Sequence, residues 1–210
     1  MTKDVGASYD AMAELYATVN LGDLDRDTPD RGWLDRFAEQ AASRDGLVAD
    51  LGCGPGHVVS YLTGLGLTVT GYDISPGQLA QARAAFPDLP FRLADISALD
   101  IADETLGGIV SRYSLIHMDP SRIGQVFDEW FRVLQPGAPA LVSFFASSTP
   151  EAHGTPFDHA VVTAHELFPG TITTQLRDAG FDRIEVGLRG PLEGERLLDH
   201  GTILARKCDS

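Results

Sequence analysis

One short segment constrains the fold of this chain more than any other. Residues 48–56 read Val-Ala-Asp-Leu-Gly-Cys-Gly-Pro-Gly, so an apolar stretch with an acid near its end runs into three alternating glycines. A stretch with helical spacing, residues 56–63, follows directly. Glycines at a turn from strand to helix let a ligand approach the backbone closely. The segment therefore predicts a ligand-binding loop in an α/β fold.

Strand and helix patterns alternate along the rest of the chain. Each predicted strand is apolar on both faces, as a sheet requires when helices cover both of its sides. The predicted strands are 47–51, 67–72, 91–94, 106–112, 140–145, 181–188 and 197–206, and the predicted helices are 7–18, 32–43, 56–63, 76–85, 121–134 and 170–179. The last two strands have no helix between them and should pair antiparallel. We therefore predict a single α/β domain with a doubly wound, mostly parallel sheet.

The charge of the chain disfavours two classes of partner. Thirty acidic side chains against 16 basic ones give a net charge of −14, which repels phosphate backbones and anionic lipid. We expect neither a nucleic-acid nor a membrane partner. The segment 1–20 contains no long apolar run and resembles neither a secretion signal nor a membrane span, so a cytoplasmic protein is expected.

The cysteines and lysines disfavour several kinds of chemistry. Cys53 and Cys208 lie in the glycine loop and in the polar tail, so we expect reduced thiols and no metal site. The lysines, Lys3 and Lys207, lie at the two ends of the chain, and lysine chemistry in the core is not expected. Schiff-base enzymes, phosphate-loop kinases and reductases with a Tyr-Lys pair are therefore disfavoured.

Three acids follow three successive predicted strands. Asp50 lies beside the glycine loop and suits a ligand that carries an ammonium group and no pyrophosphate. Asp73 lies at the tip of the second strand, where an acid can accept hydrogen bonds from both hydroxyls of a ribose. Asp95 ends the third strand, from which a carboxylate can accept from an adenine amine while Ile74 and Ile96 cover the ring. The three acids share the carboxyl edge of one sheet, where open α/β folds bind ligands.

The glycine spacing separates two classes of nucleotide ligand. A dinucleotide fingerprint requires its third glycine at position 57, where this chain has His57, and the third glycine stands at Gly56 instead. This departure disfavours a nicotinamide dinucleotide. We expect His57 to cap or contact the helix that follows the loop.

These residues, in this order, resemble the class I S-adenosylmethionine-dependent methyltransferases over nearly the whole chain. Val-Leu-Gln-Pro-Gly at 133–137 and Tyr-Ser-Leu-Ile-His at 113–117 extend the resemblance. It implies a Rossmann-like seven-stranded sheet with the last strand antiparallel, S-adenosyl-L-methionine as cofactor and S-adenosyl-L-homocysteine as product. The cofactor residues it implies are Asp50, Gly52, Gly54 and Gly56 for the methionine part, Asp73 for the ribose, and Asp95 with Ile96 for the adenine.

The resemblance also implies how the domain is organised. Residues 1–45 would form an N-terminal helical lid, 46–145 the cofactor-binding core, 146–165 a substrate-loop insertion, and 166–210 a C-terminal helix with an antiparallel strand pair. Tyr9 and Tyr16 resemble the lid residues of the family, although amphipathic packing explains them equally well. Arg112 and Tyr113 are candidates to border the carboxylate and sulfonium of the cofactor.

Two departures narrow the acceptor. Methylases of nucleic acids and protein amides in this fold commonly carry Asn-Pro-Pro-Tyr after the fourth strand, whereas this chain has Ser-Arg-Tyr-Ser at 111–114. Methylation at cytosine C5 requires a thiolate nucleophile, and Cys53 lies inside the cofactor loop. We therefore expect a small-molecule acceptor, methylated on oxygen or nitrogen.

The identity of a catalytic base remains open between several residues. His117 follows the fourth strand near the expected methyl group and could accept the acceptor's proton, but it could equally pack at the start of the next helix. His159 and His165, with Asp158, belong to the insertion and are alternatives. A third possibility is that no protein base is used, since alignment alone suffices for a nucleophilic acceptor.

Two other functions compete with methyl transfer. One is a non-catalytic module that binds adenosylmethionine or a nucleotide, favoured by the lack of an unambiguous base. The other is a nicotinamide-dependent oxidoreductase, disfavoured by His57 and by the missing Tyr-Lys pair.

Overall fold

A computed structural model describes residues 3–20, 24, 28–150, 154–158 and 163–209 of the chain. Within these residues the helices are α1 (Lys3–Asn20), α2 (Pro29–Ala41), α3 (His57–Gly64), α4 (Pro76–Ala85), α5 (Ile123–Val133) and α6 (Pro169–Asp178), with 3₁₀ turns at Leu115–His117 and Pro120–Arg122. The strands are β1 (Leu47–Leu51), β2 (Val69–Asp73), β3 (Phe91–Leu93), β4 (Leu106–Arg112), β5 (Pro139–Ala146), β6 (Thr155–Phe157), β7 (Ala164–Glu166), β8 (Phe181–Arg189) and β9 (Asp199–Lys207).

The main sheet has seven strands in the order β3-β2-β1-β4-β5-β9-β8. Strands β1 to β5 pair in parallel, whereas β9 pairs antiparallel with both β5 and β8. The order reverses between β1 and β4, so the carboxyl ends of these two strands open a crevice at one edge of the sheet. The predicted doubly wound sheet with an antiparallel last strand is confirmed.

Hydrophobic clusters cover both faces of the sheet because successive strand residues point to opposite sides. On one face Ala49 and Ile109 belong to a cluster that includes Trp130 of α5 and Leu176 of α6. On the other face Val48 of β1 and Val110 of β4 pack with α2, α3 and α4 in a second cluster. Since helices protect both faces, the carboxyl edge is where a ligand can reach the sheet.

Two features of the fold differ from the sequence prediction. The insertion 146–165, expected to be irregular, contains a hairpin in which Phe157 of β6 pairs with Ala164 of β7. Lys207, which the sequence places just beyond the last predicted strand, ends β9 and is 3% exposed, and its ammonium group donates to Leu134 O at 2.9 Å and to Glu104 Oε1 at 3.1 Å. A search of the described residues for a helix long and apolar enough to cross a membrane finds none.

Candidate active site

Two positions of the glycine loop after β1 require glycine. Gly52 has φ +79°, and a Cβ there would lie 2.4 Å from Ser114 Cβ. Gly56 has φ +87°, and its Cβ would lie 2.7 Å from the Phe91 ring. Both positions combine a backbone conformation that side chains disfavour with a close approach of a neighbour. The loop therefore packs tightly against β3 and against the segment after β4.

Asp73, at the end of β2, holds the glycine loop in place. Its Oδ2 accepts a hydrogen bond from Gly54 N–H at 2.9 Å, and its Oδ1 accepts one from Ser75 N–H at 2.9 Å. Burial raises the pKa of this carboxyl above its ordinary value, although these backbone hydrogen bonds oppose the rise. The residue expected to bind a ribose thus already organises the backbone of the loop.

Asp50 is a buried carboxyl with an unsatisfied oxygen. The residue is 1% exposed, and among the described residues Oδ2 has no hydrogen-bond partner. Burial raises the pKa of Asp50 to about 8; the charge of Arg112 lowers it and the charge of Asp73 raises it. A buried acceptor without a donor is costly, so the site suits a ligand that brings a donor or a positive charge.

His57, the first residue of α3, stays neutral. Burial, together with the positive charge of Arg112, lowers the pKa of its imidazole to about 3. Its Nδ1 is buried, and among the residues that the structure describes it has no hydrogen-bond partner. A base must gain a proton near neutral pH, so His57 is a poor candidate for one.

A pocket opens at the carboxyl edge between the glycine loop, the end of β4 and helix α1. The space between its walls, part of which is open solvent, is about 390 Å³. The side chains and glycines that line it are Val5, Tyr9, Gly52, Gly54, Asp73, Gln78, Arg112, Tyr113, Ser114 and His117. The pocket therefore brings together residues from the three segments that the sequence predicts to meet at this edge.

Gln78 is a pocket residue that the sequence reasoning missed. It lies in the first turn of α4 and is 1% exposed, yet neither Oε1 nor Nε2 of its amide has a partner among the described residues. Native proteins seldom leave both ends of a buried amide unsatisfied. Its place in the pocket wall suggests that a ligand supplies the missing partners.

Helix α1 lies across the pocket and is fixed on both sides of it. Tyr9 Oη lies 2.6 Å from His117 Nε2, on the side of β4. Asp10 Oδ1 accepts from Ser75 Oγ at 2.6 Å and from Gly77 N–H at 2.7 Å, on the side of β2. Consecutive residues of one helix thus contact the segments that follow two different strands.

A buried ion-pair network adjoins the pocket and was not predicted. Arg112 donates to Asp30 Oδ2 at 2.9 Å, and Arg189 donates to both oxygens of Asp30 at 2.9 and 3.0 Å. Arg189 also donates to both oxygens of Glu195 at 2.6 and 2.9 Å. Although burial raises the pKa of Asp30, the hydrogen bond from Arg189 and the charges of both arginines hold it below its usual value. The network ties the start of α2 to β4 and to the end of β8.

Tyr113 joins this network to the pocket. It has φ +54°, which is uncommon for a residue with a side chain. Its Oη lies 2.6 Å from His200 Nδ1, and the Glu195 carboxylate lies 3.3 Å from His200 Nε2. Burial, helped by Arg189, lowers the pKa of His200, so this imidazole is neutral at pH 7. Burial likewise raises the pKa of Tyr113.

The remaining predicted residues lie around the pocket and not in its wall. Ile74 contacts Gly6 of α1, and Asp95 accepts from Ser97 N–H at 2.9 Å and from its hydroxyl at 2.7 Å. The Ile96 side chain is fully buried in the core, which leaves only its backbone for a ligand. The side chain of Tyr16 and the whole of His159 lie outside the described residues.

The two other predicted insertion residues stand apart from the pocket wall. His165 Nδ1 lies 3.4 Å from Ile116 O, beside the 3₁₀ turn that carries His117. The backbone carbonyl of Asp158 accepts from Arg196 at 2.9 Å.

Known proteins resemble this chain in sequence and in fold. A family profile described as a methyltransferase domain matches residues 48–137. The demethylmenaquinone methyltransferase of Beutenbergia cavernae is 30% identical over 145 residues, which are 69% of this chain and 59% of that protein. A malonyl-[acyl-carrier protein] O-methyltransferase of Pseudescherichia vulneris is 32% identical over 118 residues, 56% of this chain and 46% of that protein. The chain thus spans less than two thirds of the length of either relative.

A solved structure gives a likeness over almost the whole chain. The [4+2]-cyclase SpnF superposes with a TM-score of 0.75 at 18% identity, over 98% of this chain and 96% of that one. At this identity the likeness concerns the fold alone.

Proposed function

We propose that this chain, whose residues 48–137 match a methyltransferase-domain family model, is a class I S-adenosylmethionine-dependent methyltransferase that methylates a small-molecule acceptor on oxygen or nitrogen. The observation that carries the proposal is a pocket at the carboxyl edge that is lined by the glycine loop and the strand-end acid Asp73, with the buried unsatisfied carboxyl of Asp50 in the strand that leads into this loop. S-Adenosylmethionine, the cofactor of the family, supplies an electrophilic methyl group on a sulfonium. The protein's contribution is to bind, align and exclude water.

The residues of the pocket fit the two ends of this cofactor. We assign Asp73 to the ribose hydroxyls, Asp50 to the ammonium group and Arg112 to the carboxylate, because an amino-acid group needs both an acid and a cation. Gly52 and Gly54 line the pocket, and we assign them to the methionine part.

The other end of the cofactor and its covering helix complete the assignment. Asp95, Ile74 and the backbone of Ile96 are assigned to the adenine. Tyr113 is assigned to the surroundings of the sulfonium, and Tyr16 is assigned to the lid.

We infer a small-molecule substrate partly from the charge of the chain. A net charge of −14 opposes nucleic acids and anionic membranes. The relatives described above are named for demethylmenaquinone and for malonyl-[acyl-carrier protein], the second as an O-methyltransferase, so methylation on oxygen has a precedent among them. Aromatic rings of Tyr113 and Phe145, 5.0 Å apart, offer an apolar wall beside the cofactor pocket.

We propose His117 as the group that receives the acceptor's proton. It lies in the turn after β4, lines the pocket, and is supported by neighbours that are fully buried in the core. An imidazole can gain a proton near neutral pH, which suits a general base.

Binding and transfer test the proposal separately. Calorimetry should detect binding of S-adenosylhomocysteine and no comparable binding of NAD. A screen of small phenols, carboxylates, thiols and amines with labelled cofactor should then yield a methylated product. Binding without any product would favour the non-catalytic module, and preferential binding of NAD would favour the oxidoreductase.

A further inference from the structure

The contact between Tyr9 and His117 joins two parts of the chain at the pocket. Tyr9 Oη and His117 Nε2 lie 2.6 Å apart, although the residues are 108 positions apart in sequence. Their rings meet edge to face, with centroids 5.3 Å apart. Both side chains line the pocket that we assign to the cofactor. The hydroxyl of Tyr9 therefore stands at the imidazole nitrogen through which His117 would otherwise face a ligand.

The position of Tyr9 is set by helix α1 and not by Tyr9 alone. Val5 and Tyr9, one helical turn apart, both face the pocket. The next residue, Asp10, accepts from Ser75 and Gly77, and a Cβ on Gly77 would lie 2.9 Å from the Asp10 carboxylate. Glycine at position 77 thus permits α1 to approach α4 closely, and this approach fixes the angle at which Tyr9 enters.

We propose that Tyr9 and His117 act as one catalytic proton-accepting pair, in which Tyr9 contacts the acceptor and passes the proton to His117. The inference rests on the proposed methyl transfer. As the acceptor oxygen or nitrogen bonds to the methyl carbon, the bond from that carbon to sulfur breaks and its electrons remain on sulfur. The acceptor's proton moves to Tyr9 Oη while the phenol proton moves to His117 Nε2. The positive charge that leaves the sulfonium ends on the imidazolium.

This arrangement makes a different prediction from a histidine that acts alone. If His117 acts directly through Nε2, the Tyr9 hydroxyl blocks the nitrogen, and its removal should leave the rate unchanged or raise it. If the pair acts as a relay, removal of the hydroxyl breaks the path between acceptor and imidazole. General-base assistance is typically worth about 10²- to 10⁴-fold, so the two mechanisms predict effects of opposite sign and measurable size.

The pair also links catalysis to the position of α1. Because the hydroxyl belongs to α1, the relay is complete only while this helix lies across the pocket. A protein with α1 displaced would keep His117 and lose the group that reaches the acceptor. Proton acceptance is thereby restricted to the closed site, from which water is excluded.

The test compares Tyr9→Phe with Tyr61→Phe as a matched control. Both changes remove one hydroxyl and keep the ring, but Tyr61 bonds to Arg31 and Asp35 outside the pocket wall. We expect Tyr9→Phe to lower kcat for a hydroxyl or amine acceptor at least about 100-fold, and to change adenosylhomocysteine affinity less than about threefold. Combined with His117→Ala it should add little further loss, because the two residues act as a unit. An anionic thiolate acceptor should escape the loss.

A second readout requires no turnover. In the ligand-free protein labelled with ¹⁵N-histidine, Tyr9→Phe should shift the His117 Nε2 resonance, and Tyr61→Phe should not. Absence of that shift, or a Tyr9→Phe rate equal to or above that of the unchanged protein, overturns the pair. If the unchanged protein methylates no acceptor at all, the proposed function fails and the pair fails with it, whereas transfer that survives Tyr9→Phe overturns the pair alone.

Discussion

Replacement of Asp50 by asparagine should stabilise the ligand-free protein and weaken cofactor binding. The pKa of this carboxyl is raised to about 8 from 3.8, mainly by burial, so the folded state keeps a proton that the unfolded chain loses above pH 4. The free energy of unfolding therefore falls as pH rises from about 4 to about 8. At 1.36 kcal/mol per pKa unit the penalty at pH 7 is at most ~4 kcal/mol. Asparagine carries no such penalty.

The expected gain is smaller than this limit because the asparagine amide also needs partners at a buried site. We expect Asp50→Asn to raise the free energy of unfolding at pH 7 by about 1–2 kcal/mol, or about 2–8 °C in Tm. The gain should shrink towards pH 4, where Asp50 is protonated in both states. Asp88→Asn, at an exposed position, is the matched control and should change neither stability nor its pH dependence.

The same carboxyl should release a proton when the cofactor binds. At pH 7 a group with a pKa of about 8 is about nine-tenths protonated, and an ammonium group nearby would ionise it. Calorimetry of adenosylhomocysteine in buffers of different ionisation enthalpy should detect the release, and Asp50→Asn should abolish it and weaken binding roughly 10- to 100-fold. Binding without proton release at pH 7, together with unaltered stability of Asp50→Asn, would refute the reasoning.

Three further substitutions and one exchange experiment test other parts of the site. Asp73→Ala should weaken adenosylhomocysteine binding roughly 30- to 1000-fold by calorimetry, because the charge-assisted bonds to the ribose are lost. If the Asp73→Ala variant binds as tightly as the exposed control variant Asp88→Ala, this assignment is wrong. Gln78→Met should raise Tm in the ligand-free protein and weaken binding about tenfold, because the unsatisfied buried amide is removed; lower stability with unchanged affinity would assign Gln78 a structural role. Asp30→Asn should lower the free energy of unfolding in denaturant by about 3–5 kcal/mol, because two largely buried guanidinium groups lose their charge partner. The control Asp103→Asn, at a side chain that is 74% exposed, should lower it by less than about 1 kcal/mol. Hydrogen exchange in residues 3–20 and 146–165 should slow when adenosylhomocysteine binds if these segments close over it, and equal exchange would exclude the lid.

The central strands of the sheet could be predicted from the sequence because they are buried on both faces. Val48 and Ala49 pack into clusters on opposite sides of β1, so successive residues of this strand are apolar. The two short strands of the insertion give no such signal. Thr155–Phe157 contains a proline and lies among polar residues, which explains why the hairpin was expected to be irregular.

The glycine loop and Asp73 could be predicted because they lie close together in the sequence. The contacts that site residues make with distant parts of the chain could not be predicted. Asp30 and Arg189 are 159 residues apart, and neither stands in a motif. Tyr9 and His117 were each singled out by the sequence, but nothing in it indicates that they touch. Lys207 shows the same limit, since the carboxylate and the carbonyl that satisfy its buried ammonium group belong to Glu104 and Leu134, which are distant in the sequence.

Arg112 joins the pocket to the ion-pair network around Asp30. Its surroundings favour a ligand that ends in an amino-acid group over a ligand that carries a pyrophosphate. It lines the pocket, pairs with Asp30, lowers the pKa of Asp50 and contributes to the low pKa of His57. A pyrophosphate would bring negative charge to a pocket that Asp73 lines and in which Asp30 already pairs with Arg112, and like charges at short range are disfavoured. We propose instead that a zwitterion places its ammonium group beside Asp50, which then gives up its proton, and its carboxylate beside Arg112. The electrostatics of the pocket therefore agree with the glycine spacing in disfavouring a dinucleotide.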